Sequence, residues 1–446
     1  MKKMPNVFFI TVDDLRADHT GYMGYKNITP NLDAFAKQNV FFTKAIATGP
    51  MTPLSFPSIL YSLYPSEYYS QNKYGGREGI ASFFKKLGYK TVAFNSNPHF
   101  KLWGFSKGFE YFEDFLYKTG KERDKIIERI KKKFVKMVGK DNFMVKSLQH
   151  FLTHLSADIA LPYADAETMN KKTLEWLNQN KNQQIFCWMH YMDPHYPFFP
   201  PEEYVDINIT KKDILRVNRL QRIAVHHGKL PSKEDTKILV ELYDAEIKFL
   251  DKCFGEFLKE LKKMDLFSNS IILFTADHGE LFGDYGKFGH PHEFLYQKQL
   301  HVPLIIKSIE KKKEVFNSPV SLIDIPFAIT EMLGLDTSIF NGMSLQKRKY
   351  VISEGFRIRG TSNYINEKNM IISCQRDNWK LIIDDIHNRR ELYNLDDDPN
   401  ESINVYGKEK EVVDELANAI KMHKRKIGEA GVLSHKIHML KKGGKI

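Results

Sequence analysis

The chain has 446 residues, 42% hydrophobic and 13% aromatic, which is enough to bury a large core and excludes an intrinsically disordered protein. Its net charge of +11 is uneven, because residues 118–150 carry eleven Lys or Arg against four acidic residues and supply +7 of it. That pattern predicts a local basic surface facing an anionic partner and excludes a generally basic nucleic-acid binder; no nucleic-acid motif or internal repeat accompanies it.

The N-terminus, Met1-Lys2-Lys3-Met4-Pro5, passes directly into Val7-Phe8-Phe9-Ile10-Thr11-Val12. It leaves no room for a signal peptide, and no run of 18 apolar residues exists, so a cytoplasmic protein without a transmembrane segment is expected. The apolar run reads as a strand buried on both faces of a mainly parallel sheet, and Asp13 and Asp14 stand where it ends. Ligands bind at the carboxyl ends of such strands. Adjacent carboxylates repel unless a cation or solvent separates them, so the pair is a solvated turn or half of a cation site.

Residues 29–38 predict a helix carrying Leu32, Phe35 and Ala36 on one face, followed by a short strand at Val40-Phe41-Phe42. From Ala47 to Leu60, prolines 50, 53 and 57 forbid a regular strand and predict a fixed loop with a helix starting near Pro57. A loop feeding a helix N-terminus is a suitable place for a nucleophile and an anion. Residues 79–95 read as helix then strand, and about 118–155 as a basic, amphipathic helical insertion. Its basic face is either ordinary solvated surface or a peripheral membrane contact.

Ile185 to His190 predicts another strand, ending in His190-Tyr191-Met192-Asp193-Pro194-His195-Tyr196-Pro197. Residues 236–263 give the clearest helical periodicity. Ser270 to Ala276 repeats the opening design: an apolar strand, then Asp277-His278-Gly279-Glu280. If the two strands are neighbours, Asp13, Asp14, Asp277 and His278 converge on one divalent ion, Ca²⁺, Mg²⁺, Mn²⁺ or Zn²⁺, with the imidazole favouring Mn²⁺ or Zn²⁺. A loop with Gly289-His290-Pro291-His292 precedes a strand at Val302 to Ile306. Beyond about residue 360, short strands and a helix over 408–426 predict a small antiparallel sheet with a helix and a basic tail. Cys187, Cys253 and Cys374 are widely spaced and read as reduced core residues.

Taken together these pieces resemble the sulfatase family of the alkaline phosphatase superfamily. The matching segments are Asp13-Asp14, Thr29-Pro30-Asn31-Leu32-Asp33, Tyr191 to Pro197, Tyr243-Asp244-Ala245-Glu246-Ile247 with Asp251, Thr275 to Glu280, His301 to Ile306, and Glu391 to Glu401. The resemblance implies an α/β sandwich with a large, mostly parallel central sheet flanked by helices. It implies a catalytic domain over 1–360, a small C-terminal α+β subdomain over 361–446, and one ion at Asp13, Asp14, Asp277 and His278.

It also implies a nucleophile bound to that ion in the 50–58 loop. Aligning Ser58-Ile59-Leu60 with the helix after the family's motif puts Thr52 at the nucleophile position. The family carries Cys or Ser there, converted to formylglycine, with Pro and Arg after it; here Leu54 and Phe56 stand in their places. Ser55 is the rival nucleophile, its alternative role being to cap the following helix. His195 and His290 would bind the anion's oxygens or protonate the leaving group, with His190, Asn97, His292 and Arg16 as further substrate contacts; His292 is alternatively a second metal ligand, and His190 a core histidine. The expected activity is metal-dependent cleavage or transfer of sulfate or phosphate esters on an anionic small molecule, glycan or lipid headgroup. Threonine lacks the second hydroxyl by which a formylglycine hydrate expels sulfate, which tilts the reading toward phosphate. The alternatives are a sulfuric ester hydrolase proper and an inactive relative that only binds an anionic glycan or lipid.

Overall fold

The computed structural model describes residues 4–72, 78–115, 163–310, 312–357 and 369–442, so the insertion expected at about 118–155 lies outside the described residues. The central strand β1 (Asn6–Val12) is buried at every position, as its unbroken apolar run requires. It pairs in parallel with β5 (Ile185–Tyr191) on one side and β6 (Ser270–Ala276) on the other. Around these stand β2 (Val40–Ile46), β3 (Lys90–Asn95), β4 (Tyr111–Asp114), β9 (His301–Lys307) and β10 (Glu314–Phe316), in the order β10-β2-β9-β6-β1-β5-β3-β4, with β11 (Val320–Ser321) also on β2. Among the described residues only β9 runs against its neighbours, so the sheet of nine described strands is mostly parallel, as expected.

The Lys233–Lys263 helix covers one face, placing Phe257 edge-on against Phe8 and Phe254 against Phe274. It begins three residues before the periodicity does, because Ser232 Oγ accepts from the Asp235 N–H and caps it. Helix α1 (Pro30–Gln38) lies where its start signal predicts. Its N-terminal N–H groups at Asn31 and Leu32 donate to Asp251 of the long helix (3.0 and 2.7 Å), which takes the place of a local cap.

Helix α2 differs from expectation: it runs Thr52–Tyr61 and so starts five residues before Pro57. Pro53 is tolerated in the first turn, where no intrahelical donor is needed. Pro57 lies inside the helix and cannot donate to the Pro53 carbonyl; the Tyr69 hydroxyl donates to it instead (2.8 Å). Ser55 therefore sits within the first turn rather than capping the helix, and its buried hydroxyl has no hydrogen-bond partner among the described residues.

The C-terminal sheet is antiparallel, in the order β12 (Val351–Phe356), β13 (Met370–Arg376), β14 (Trp379–Asp384), β15 (Arg389–Asn394). Its first strand precedes residue 360. The Lys410–Lys442 helix extends past the expected 426 and packs Val413, Leu416 and Ile420 over Ile372, Cys374 and Leu381. Cys187, Cys253 and Cys374 are buried and unpaired. Among the described residues no helix is long and apolar enough to cross a membrane.

Candidate metal centre and nucleophile

The ladder that joins β5, β1 and β6 delivers the acidic residues to one point. Val12 lies opposite both Tyr191 and Ala276. One step further, the Asp13 N–H donates to the Tyr191 carbonyl (2.9 Å) and the Asp277 N–H to the Val12 carbonyl (3.1 Å). Asp13 and Asp277 thus leave adjacent strand ends side by side. Asp14 turns away from the strand at φ 61°, in the left-handed region that Asp tolerates better than most residues. The Tyr243 hydroxyl fixes that turn by donating to the Asp14 carbonyl (2.7 Å) while accepting from the Arg16 N–H (3.0 Å). Gly279 lets the segment after His278 pass tightly, since a Cβ there would lie 2.4 Å from the Lys298 carbonyl.

His278 is the hub. Its Nδ1 lies 2.9 Å from Asp14 Oδ1, and its Nε2 lies 3.5 Å from both Asp13 Oδ1 and Asp277 Oδ2. Thr52, the first residue of α2, holds its Oγ1 3.2 Å from the same Nε2. His190 approaches Asp13 Oδ2 (3.4 Å) and sits 2.9 Å from Thr11 Oγ1. His290 Nδ1 is 3.2 Å from Asp14 Oδ1 and 2.9 Å from Glu280 Oε2, and His195 Nε2 is 3.7 Å from Asp14 Oδ2.

Eight of the eleven expected residues therefore meet: Asp13, Asp14, Thr52, His190, His195, Asp277, His278 and His290. His292 lies outside the groups with metal-ligand spacing, and Arg16 and Asn97 are substrate contacts by expectation, with residue types those groups do not include. Arg16 is held by Asp18 through two 2.8 Å hydrogen bonds and also donates to the Glu280 carbonyl. Asn97 accepts from the His99 N–H, and the His292 carbonyl accepts from the Phe356 N–H. Glu280 and Tyr243 were not expected to serve the site. Both were visible as residue types, in Asp-His-Gly-Glu and in the long helix, but their roles depend on partners 10 and about 230 residues away in sequence.

The chemistry of this donor set fits a hard divalent cation. Among the described residues Asp13 Oδ1, Asp14 Oδ2 and Asp277 Oδ2 are buried without a hydrogen-bond partner, and Asp14 Oδ1 is met by the His278 and His290 rings. Orphaned buried carboxylate oxygens are costly unless a cation takes them up. Protons otherwise balance the charge: burial, aided by Asp13 and Asp14, pushes the Asp277 carboxyl well above the usual range. Burial would lower His278, but Asp277 and Asp14 outweigh it and raise it to about 9. Burial would raise Asp14, yet His290, His278 and His195 hold it well below the usual range. Asp13, Asp14 and His278 form one cluster with ligand spacing, and Asp13, His190 and Asp277 another.

A mostly parallel sheet with this cluster at its strand ends, plus a small antiparallel C-terminal sheet, is the alkaline-phosphatase-like fold. The signature of the family described as Sulfatase matches residues 5–335, and the chain belongs to that family. An arylsulfatase of Clostridium perfringens is 25% identical over 92% of each chain. Among solved structures, a phosphonate monoester hydrolase from Silicibacter pomeroyi superposes with a TM-score of 0.69, at 19% identity over 96% of each chain. A protein solved with its substrate D-glucosamine-2-N,6-O-disulfate superposes at 0.67, with 18% identity over 96% of this chain and 99% of that one.

Proposed function

We propose that this chain cleaves phosphate esters on an anionic small molecule, glycan or lipid headgroup, with Thr52 as nucleophile and one divalent cation held by Asp13, Asp14, Asp277, His278 and Thr52. The observation that carries the reading is the Thr52 hydroxyl at the start of α2, 3.2 Å from the His278 Nε2 that also lies 3.5 Å from Asp13 and Asp277. When bound, the cation supplies positive charge that eases ionisation of the Thr52 hydroxyl and offsets the charge of the attacked group.

Thr52 Oγ1, its proton released to solvent as the hydroxyl ionises, attacks phosphorus; the bond to the leaving oxygen breaks, and that oxygen takes a proton from His195 or His290. The N-terminus of α2 favours the negative charge gathered there. Water or another alcohol, giving its proton back to the same ring, then displaces phosphorus from Thr52. Threonine cannot expel the group by itself, because it has one hydroxyl and no carbonyl form to revert to. The dianionic charge of a phosphate monoester also suits the surrounding imidazoles better than the single charge of a sulfate ester. The names of the relatives support a sulfate ester as the second reading, and a phosphonate monoester hydrolase shares the fold.

Matched p-nitrophenyl sulfate, phosphate and phosphodiester, assayed with Mn²⁺, Zn²⁺ or Ca²⁺, separate these readings. Higher kcat/KM on a phosphate ester, with mass spectrometry placing the trapped ester on Thr52, is the expected result. A clear preference for sulfate refutes the choice of phosphate, an adduct on Ser55 refutes the nucleophile, and no turnover of any ester points to a binding protein.

A further inference from the structure

We propose that a lysine-lined cavity, at the end of the central sheet opposite the carboxylate cluster, binds a small organic molecule carrying two or more phosphate groups. The cavity has a volume of about 660 Å³. Its wall includes Lys37 of α1, Lys259 and Lys262 of the Lys233–Lys263 helix, Lys307 at the end of β9, and Lys313 just before β10. No Asp or Glu lines it among the described residues. The Lys307 ammonium donates to the Ser270 carbonyl (2.8 Å), at the start of β6, whereas Asp277 follows the end of that strand. At about 3.3 Å per residue the two ends stand roughly 20 Å apart, so the cavity is separate from the cluster.

These lysines do not answer nearby acids. Glu256 pairs with Lys252 (3.9 Å), Glu260 with Lys263 (2.6 Å) and Glu310 with Lys312 (3.3 Å), all lysines outside the wall. Asp33 accepts from the Thr29 hydroxyl, and Asp251 from the α1 N-terminus. A lysine in the last turn of a helix complements the helix dipole, which accounts for Lys37 and Lys262. It does not account for Lys259, which precedes the last turn, or for Lys307 and Lys313, which belong to no helix. Lys307 is buried, with its ammonium 4.9 Å from the centre of the Phe267 ring, and the Lys262 ammonium is 4.8 Å from the same centre. Each gains from the face of that ring. Two like charges are nevertheless gathered there without a lining carboxylate, and an anion relieves their repulsion.

The wall also indicates the kind of anion. The Ser308 hydroxyl is buried without a hydrogen-bond partner among the described residues, and an anion's oxygen is the acceptor it lacks. A phosphate monoester carries about −1.5 to −2 at pH 7, so two such groups match three or four of the lysines. The volume lies within the roughly 300–1,000 Å³ of small-molecule sites and leaves room for an organic part. Leu258 and the Phe267 ring give that part an apolar surface.

Full-length protein is titrated calorimetrically with ADP, fructose bisphosphate or sulfate, in chelator so that no cation bridges phosphate to the carboxylate cluster. Saturable binding of ADP or fructose bisphosphate is expected, the tighter of the two showing whether the phosphates sit adjacent or apart. Lys259→Ala/Lys262→Ala should weaken it about tenfold or more, with Lys259→Arg/Lys262→Arg retaining most of it. Both side chains are exposed, so the fold should be kept, as circular dichroism checks, and turnover of any ester the wild type cleaves should be unchanged. Equal binding in the wild type and the alanine variant overturns the inference, as does sulfate binding as tightly as either bisphosphate, or no saturable binding of either. Binding lost in His195→Ala/His290→Ala also overturns it, by placing the anion at the strand ends. A heparin-derived oligosaccharide that displaces ADP at lower concentration overturns the phosphate compound in favour of a glycan. The test is independent of the proposed reaction, because a chain that cleaves no ester can still pass it.

Discussion

Thr52 is the residue on which the proposed chemistry turns, and its neighbours define the test. It lies beside His278 and next to Pro53, with its side chain nearly buried, so a substitution of similar size should fold. Thr52→Ala should lower kcat by at least about a thousandfold while leaving the melting temperature close to wild type. Thr52→Ser keeps the hydroxyl and should retain most of the rate; equal rates in Thr52→Ala and wild type would remove the nucleophile. At this scale, the candidate ligands Asp13, Asp14, Asp277 and His278 were legible because each pair follows an apolar strand at once. Glu280 was not, because its partner His290 is brought back by the turns between β7 (Leu281–Phe282) and β8 (Phe288–Gly289). Arg16 read as an anion contact; its guanidinium donates to Asp18, a residue two positions on whose carboxylate has no signature of its own.

The elements carry these residues through a few non-local hydrogen bonds. Pro57 strips α2 of one internal bond, and Tyr69 replaces it at the Pro53 carbonyl, one residue from Thr52. Tyr69→Phe should therefore cost about 1 kcal/mol, read as a lower urea midpoint. An unchanged midpoint would mean that water serves that carbonyl equally well. Asp251 accepts from the Asn31 and Leu32 N–H groups and the Asn31 side-chain amide, so it closes α1 from another helix. Removing it in Asp251→Ala should cost about 1–3 kcal/mol, above the usual loss for an exposed cap, because buried donors are left unpaired. Strands and long helices were readable from period and burial, while the early start of α2 was not. Three prolines in eight residues signal a break, and the Tyr69 hydroxyl that takes up the freed Pro53 carbonyl comes from a different helix.

On the scale of the whole molecule, the C-terminal sheet is part of the site's scaffold. The Glu354 N–H donates to the Thr48 carbonyl and Ser353 Oγ to the Ala47 carbonyl, just ahead of Thr52. Sequence alone left β12 unseen, because Ser353, Glu354 and Gly355 interrupt its apolar run. Glu354 is buried only because Ser66 and His423 reach it from elsewhere. The stretch after His290 is docked in the same way: Glu401 accepts from the Gln297 N–H (2.6 Å) and the Tyr285 hydroxyl (3.3 Å), and pairs with Lys380 (2.7 Å).

The Lys380–Glu401 pair gives the sharpest stability prediction. Both side chains are almost wholly buried, and burial holds the Lys380 ammonium's pKa below its usual range despite Glu401. Glu401→Ala leaves that ammonium buried without its carboxylate, which should cost about 3–5 kcal/mol at pH 7. Lys380→Met should cost less, because the carboxylate keeps the Gln297 and Tyr285 donors. The two variants also differ in their response to pH. In Glu401→Ala the folded protein sheds the Lys380 proton more readily than the unfolded chain, whose lysine titrates near 10.4. The unfolded state then binds more protons, so stability relative to wild type should rise as pH climbs from 7 toward 10. Urea midpoints for wild type and both variants at pH 7, 8.5 and 10 measure this. A deficit in Glu401→Ala that stays constant across that range would show that the loss comes from the Gln297 and Tyr285 contacts and not from an unpaired charge at Lys380.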